Sequence, residues 1–132
     1  MTPRLISLLV IFTLVALLGA LQQLAFAYYL YWRFPWYDIL MHFLGGVVVA
    51  SVYLWVVRYE LPEAFKKYES FFFVFLFSFV VGVLWEAFEY FIGIDREISL
   101  PLRQVDTILD LVMDVSGATL SYIAFSRFRS NG

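Results

Sequence analysis

The most constraining feature of this chain is a stretch near its C-terminus that is apolar enough to enter a membrane yet carries three aspartates. Asp106, Asp110 and Asp114 recur every four residues, so on an α-helix they lie on one face. Gly117 and Ser121 continue that face with small side chains. A carboxylate near the centre of a membrane helix costs about 3 kcal/mol, whereas each Leu, Ile, Val or Phe returns only about 0.3–0.6 kcal/mol. The stretch therefore predicts a membrane helix whose acidic face needs partners on other helices.

The composition places the whole chain among membrane proteins. Of its 132 residues 63% are hydrophobic, against about 45–50% in a soluble domain, and the mean hydropathy is +0.83. At this length we expect a single transmembrane domain over residues 1–132. The lack of cysteine excludes disulfides, thiolate metal sites and cysteine nucleophiles, and no basic run indicates binding to nucleic acid.

Four apolar segments are long enough to span a lipid bilayer, at about residues 4–29, 38–58, 70–93 and 105–126. They predict an all-α fold, an integral membrane four-helix bundle without strands. The first segment has a second interpretation, because Arg4 precedes a long apolar run and 25–27 is a small-residue site of the kind at which signal peptides are cleaved. Whether this span is cleaved stays open.

The basic residues are distributed unequally between the two ends of such a bundle. The side that holds both termini has six and the other side has three. The six are Arg4, Arg58, Lys66, Lys67, Arg127 and Arg129, and the three are Arg33, Arg96 and Arg103. Because positive residues favour the cytoplasmic side, this count predicts that the N and C termini are cytoplasmic.

With that orientation, the polar residues of three spans lie at one depth near the outer surface. Asp110 lies about 6 Å below Asp106, and Glu89 lies about 6 Å below Gly93, at about 1.5 Å of rise per helical residue. The converging residues are Asp38 and His42 on the second span, Glu86 and Glu89 on the third, and Asp106, Asp110 and Asp114 on the fourth.

Small residues adjoin the polar residues in each span and predict close helix packing, since they let backbones approach each other. The positions are Gly19, Gly45, Gly46, Gly82 and Gly117. We therefore expect the acidic stripes of the third and fourth spans to face the interior of one bundle.

Three motifs together resemble a known pattern: Asp38-x-x-x-His42 followed by Gly45-Gly46, Trp85-Glu86-x-x-Glu89, and Asp106-x-x-x-Asp110-x-x-x-Asp114-x-x-Gly117. They are similar to the YjdF-like small membrane proteins of bacteria and archaea and, more distantly, to VanZ-like proteins, over about residues 36–125. The resemblance implies a multi-pass protein of the prokaryotic plasma (inner) membrane. The YjdF-like family supplies a fold and a residue pattern but no reaction, whereas VanZ-like proteins are associated with glycopeptide resistance and the cell envelope. This chain departs from the VanZ-like pattern in having two glutamates in the third span and three aspartates in the fourth.

The converging acids favour a cation as the first functional hypothesis, because several like charges in a low dielectric do not all stay ionised unaided. Oxygen-rich ligation with one imidazole suits Mg²⁺ or Mn²⁺, and also Zn²⁺. The proposed metal ligands are His42, Glu86, Glu89, Asp110 and Asp114. Residues expected to surround them or contact substrate are Asp38, Arg96, Arg103 and Asp106. Such a site at the outer headgroup level would act on a lipid-linked phosphate.

Two other hypotheses stay open, and the sequence does not decide whether the protein is an enzyme. The acids would serve as relay sites in a proton or cation pathway, and four short spans would then require a homo-oligomer. Alternatively, the protein is a structural or accessory membrane protein whose protonated acids hold the helices together. Simpler explanations exist for single residues, because His42 suits a packed core and Asp38 and Asp106 suit helix N-caps.

Overall fold

The computed structural model describes residues 1–93 and 100–130, and over those residues it contains helices and no strands. The long helices are α1 (Pro3–Tyr28), α3 (Trp36–Tyr59), α4 (Phe71–Ile92) and α5 (Leu100–Ser130), and the short ones are α2 (Leu30–Arg33) and a 3-10 helix (Glu63–Glu69). Each long helix contains a segment with the length and apolar composition needed to cross a membrane; in α5 this segment is Gln104–Arg127. The predicted all-α membrane bundle is confirmed.

Local sequence signals define the ends of these helices. The hydroxyl of Thr2 caps α1 by accepting a hydrogen bond from the backbone N–H of Leu5, at 3.4 Å, and Pro3 occupies the first turn. Gly93 ends α4 in the left-handed conformation, with φ of 83°, which glycine adopts without steric cost. Tyr29 takes the same conformation between α1 and α2, with φ of 54°.

Helix α3 is central, since it packs against α1, α4 and α5, whereas α1 contacts only α2 and α3 among the described helices. The contact between α1 and α3 buries Ala25, Tyr37 and Met41. The Tyr37 hydroxyl donates to the backbone carbonyl of Leu21 at 2.8 Å. These contacts attach α1 to the side of a three-helix unit formed by α3, α4 and α5.

Two glycines allow α3 and α5 to pack backbone against backbone. A Cβ atom at Gly46 would lie 1.9 Å from the carbonyl oxygen of Asp114, and one at Gly117 would lie 2.0 Å from the carbonyl oxygen of Phe43. The expected close approach at these two positions is therefore observed. At Gly19 the expectation was wrong, because no atom of another described helix lies within 4 Å of the place a Cβ would take.

An apolar cluster fills the half of the bundle where α1 begins and α3 ends. Its fully buried members are Ala50, Leu54, Val74 and Ala118, and three aromatic residues pack around them. At the same end Arg58 pairs with the buried Glu69 at 3.4 Å, and Arg4 pairs with Glu60. We call the four residues Ala50, Leu54, Val74 and Ala118 the inner apolar cluster.

Candidate metal centre

The imidazole of His42 lies at the centre of the polar site, where α3, α4 and α5 meet, and it is only 6% exposed. Its Nδ1 atom is 3.3 Å from one carboxylate oxygen of Asp114 and 3.4 Å from the other. Its Nε2 atom points to the opposite side, toward carboxylate oxygens of Glu86 at 3.8 Å, Asp38 at 3.9 Å and Asp110 at 4.0 Å. The two ring nitrogens therefore meet different carboxylates.

Asp114 lies against three glycines, and its carboxylate occupies space that Gly82 leaves open. A Cβ at Gly82 would lie 2.5 Å from its Oδ2 atom, and one at Gly45 would lie 4.0 Å from its Oδ1 atom. The backbone carbonyl of the same aspartate packs against Gly46. Gly82 thus makes room for the Asp114 carboxylate beside His42, and Gly46 allows the two helix backbones to pack.

Among the described residues, two groups of side chains could hold a metal ion, and both include His42. One group is Asp38, His42 and Asp110, and the other is His42, Glu86 and Glu89; within each, the potential ligand atoms lie within 4.8 Å of one another. The distances of 3.8–4.0 Å at Nε2 are too long for direct hydrogen bonds. A small cation about 2.1 Å from each ligand would join atoms up to about 4.2 Å apart.

Asp110 is the most deeply buried of these acids in the part of the chain that the structure describes. The residue is 3% exposed, and its Oδ1 atom has no hydrogen-bond partner there. Burying an ionised carboxylate without a partner is strongly unfavourable, so such a group is expected to be neutralised by a proton or a bound cation.

Sequence reasoning missed Thr107, whose hydroxyl donates to Glu86 Oε2 at 2.7 Å. This contact orients the glutamate and links α4 to α5 beside the site. A signal was present, since Thr107 precedes Asp110 by three residues and so lies on a neighbouring part of the same helix face.

Ser78 extends the polar interior one turn from Gly82, on the side of the inner apolar cluster. It is 2% exposed, and its hydroxyl has no partner among the described residues. By contrast, the hydroxyls of Ser51, Ser116 and Thr119 each donate to a carbonyl one turn earlier in their helix.

The structure brings most of the predicted site residues together, but it places them on different sides of the His42 ring. Asp114 belongs to neither group with metal-ligand spacing and lies at Nδ1. Asp106 lies one turn from Asp110 on α5, toward the start of the helix, and is also outside both groups. Arg96 lies outside the described residues, and so does the side chain of Arg103.

The fold and the site define an all-helical membrane protein with a buried carboxylate–histidine centre. The chain belongs to the family described as "Predicted membrane protein (DUF2238)", whose model matches residues 1–131. That match includes the region of the YjdF-like resemblance, and the VanZ-like likeness stays a prediction. The chain matches no curated protein sequence and no solved structure.

Proposed function

We propose that this centre binds a divalent cation and that the protein uses it for metal-dependent chemistry on a phosphate-bearing lipid of the cell envelope. One observation carries the proposal. The Nε2 atom of His42 faces three carboxylates at 3.8–4.0 Å, and one of them, Asp110, is buried with an oxygen that lacks a hydrogen bond among the described residues.

The geometry supports different roles for the predicted ligands. The Asp114 carboxylate lies 3.3 Å from Nδ1 of His42 and favours a proton on that nitrogen, which would leave the Nε2 lone pair directed toward the cation, as in carboxylate–histidine–metal arrangements. We therefore infer that Asp114 orients the imidazole rather than binding the metal. The proposed ligands are His42, Asp38, Glu86, Glu89 and Asp110.

The donor set suits a hard cation, because four carboxylates provide oxygen and only one ligand provides nitrogen. Mg²⁺ and Mn²⁺ prefer such oxygen-rich sites, and Zn²⁺ also accepts imidazole and carboxylate ligands. A bound cation of this kind would polarise a phosphoryl oxygen as a Lewis acid. We still propose that Arg96 and Arg103 contact the phosphate, since guanidinium groups pair well with phosphate.

Conduction is a weaker candidate because of the inner apolar cluster. The four buried residues of this cluster, at most 1% exposed, occupy the bundle between the acidic centre and the end that carries Arg58. Protons and ions would have to cross this apolar layer, at a high desolvation cost. An apolar layer on this side favours a centre that exchanges ligands with the opposite membrane surface. Such a centre does not require a homo-oligomeric pore.

Cation binding is tested most directly on the wild-type protein, purified without chelator and analysed for its metal content. We expect Mn²⁺ to raise the melting temperature, since a ligand at about 100 times its Kd adds about 2.7 kcal/mol to the free energy of unfolding. We also expect the effect to weaken as pH falls, because carboxylate and imidazole ligands must be deprotonated to bind. A melting temperature that does not change on adding Mn²⁺ or chelator at any pH would contradict the proposal.

We further propose that the centre faces the outer surface of a prokaryotic plasma membrane, with both termini in the cytoplasm. The ion pair between Arg4 and Glu60 joins the start of α1 to the end of α3. It therefore supports the placement of these two helix ends at the same membrane surface. Since the chain has no cysteine, single substitutions can be labelled selectively.

Membrane-impermeant maleimide should label a Trp32→Cys variant in intact cells and a Glu63→Cys variant only after lysis. Both positions are exposed, Trp32 in α2 and Glu63 in the 3-10 helix, at opposite ends of α3. The reverse pattern would place the acidic centre in the cytoplasmic half and overturn the assigned topology.

A further inference from the structure

A groove of about 400 Å³ runs along the surface between α4 and α5. Its walls are almost entirely apolar, and the Ser116 hydroxyl in it already donates to the carbonyl of Val112 at 2.7 Å. The groove therefore offers a ligand almost exclusively apolar surface. Its lining residues are Phe75, Phe79, Ile108, Leu111, Val112, Val115 and Ser116.

The position of the groove indicates what occupies it. Both walls belong to helix segments with the length and composition of membrane spans, and the groove lies within those segments rather than at their ends. At that depth the surrounding molecules are lipid chains, because the hydrocarbon layer is about 30 Å thick. From Ile108 to Ser116 the groove extends about 12 Å along α5, at about 1.5 Å per residue.

The outer end of the groove adjoins the acidic centre. Leu111 forms part of the groove wall. A Cβ added at Gly82 would lie 3.0 Å from its Cδ2 atom and 2.5 Å from the Oδ2 atom of Asp114, so Gly82 lies between the groove wall and the centre. Ile108 follows Thr107, the residue that donates a hydrogen bond to Glu86. The end of the groove at Ile108 and Leu111 therefore lies next to residues that contact the acidic centre.

We propose that the groove binds one acyl chain of a phosphate-bearing membrane lipid, whose headgroup lies at the cation centre. The headgroup assignment rests on the proposed function, whereas the chain assignment rests on the groove alone. The two parts therefore make separate predictions.

The test uses phosphatidic acid with a photoreactive acyl chain, in phosphatidylethanolamine vesicles containing the purified protein and Mn²⁺. Diacylglycerol with the same chain serves as the probe without phosphate. A Val112→Trp variant fills the groove, and Val80→Trp is its matched control, since Val112 is 54% exposed, Val80 is 46% exposed, and Val80 lies on α4 outside the groove.

We expect photolabelling of residues 108–116 by phosphatidic acid to fall about tenfold in Val112→Trp and to stay unchanged in Val80→Trp. Equal labelling of both variants, or crosslinks that join two protein copies through the groove, would overturn the chain assignment. Equal labelling of wild type by the two probes would overturn the headgroup assignment. Failure of the cation proposal would be seen separately, as wild-type protein that labels in the groove but shows no stabilisation by Mn²⁺.

Discussion

Alanine at Gly46 or at Gly117 is expected to disrupt the packing of α3 against α5 and to destabilise the folded bundle severely. The new Cβ atom would lie 1.9 Å from a carbonyl oxygen in the first case and 2.0 Å in the second. Both obstructing atoms belong to the backbone, so no side-chain rotation relieves the clash. Overpacking usually costs about 1–3 kcal/mol, and separating two helix backbones is expected to cost more. That loss is a large part of a typical total stability of about 5–15 kcal/mol.

The neighbouring residue Gly45 provides a matched control for this prediction. Among the described residues outside its own helix backbone, a Cβ there would meet only the Oδ1 atom of Asp114, at 4.0 Å, which is an ordinary contact distance. Gly19→Ala is a second control, because it faces open space and alanine favours a helix over glycine by about 1 kcal/mol. Thermal unfolding in detergent would measure all four variants. If Gly46→Ala and Gly45→Ala unfolded at the same temperature, the close backbone contact would be wrong.

Gly82→Ala tests a different consequence of the same small residues. The Cβ would lie 2.5 Å from a carboxylate oxygen of Asp114 and 3.0 Å from Leu111, both of them side-chain atoms. These atoms are able to move, so the bundle should fold while Asp114 shifts away from His42. This position therefore separates damage to the centre from damage to the helix packing.

The helical periodicity of the sequence predicted that acids of the third and fourth spans face His42, and Glu86, Asp110 and Asp114 lie beside its ring in the structure. The four-residue spacing of Asp106, Asp110 and Asp114 defined one face of α5, and the depth of His42 followed from its distance from the start of α3. The structure brings Asp110 and Asp114 to opposite nitrogens of His42, which spacing does not reveal. Helix spacing predicts a common face, but the ring side that each carboxylate meets depends on helix rotation and side-chain torsions.

The error at Gly19 has a separate physical cause. A membrane helix is apolar on the side that faces lipid and also on the side that faces protein, so hydrophobicity does not distinguish them. Small residues indicate packing only where a second helix is present, and none of the described helices reaches Gly19. Thr107 was missed for a related reason, since its contact with Glu86 depends on the relative rotation of α4 and α5.

The last prediction concerns Asp110→Asn, which keeps the shape of the side chain and removes its charge. We expect Mn²⁺ affinity to fall by more than about 100-fold. Loss of a residue that only hydrogen-bonds to a metal ligand costs up to about 100-fold, and loss of a ligand should cost more. Asp106→Asn is the matched control on the same face of α5, because Asp106 belongs to neither group with metal-ligand spacing. That variant should bind Mn²⁺ nearly as well as wild type, as measured by titration calorimetry and by the rise in melting temperature.

Stability without metal does not by itself separate the cation hypothesis from the structural one. In chelator, Asp110→Asn should be as stable as wild type or more stable under either hypothesis, because the amide avoids the cost of burying a carboxylate among other acids. The increment caused by Mn²⁺ is what differs between them. If the acids bind a cation, wild type gains stability on adding Mn²⁺ and Asp110→Asn gains almost none. If the acids are protonated and hold the helices together, neither protein gains stability on adding Mn²⁺, and that lack of response would identify a structural role.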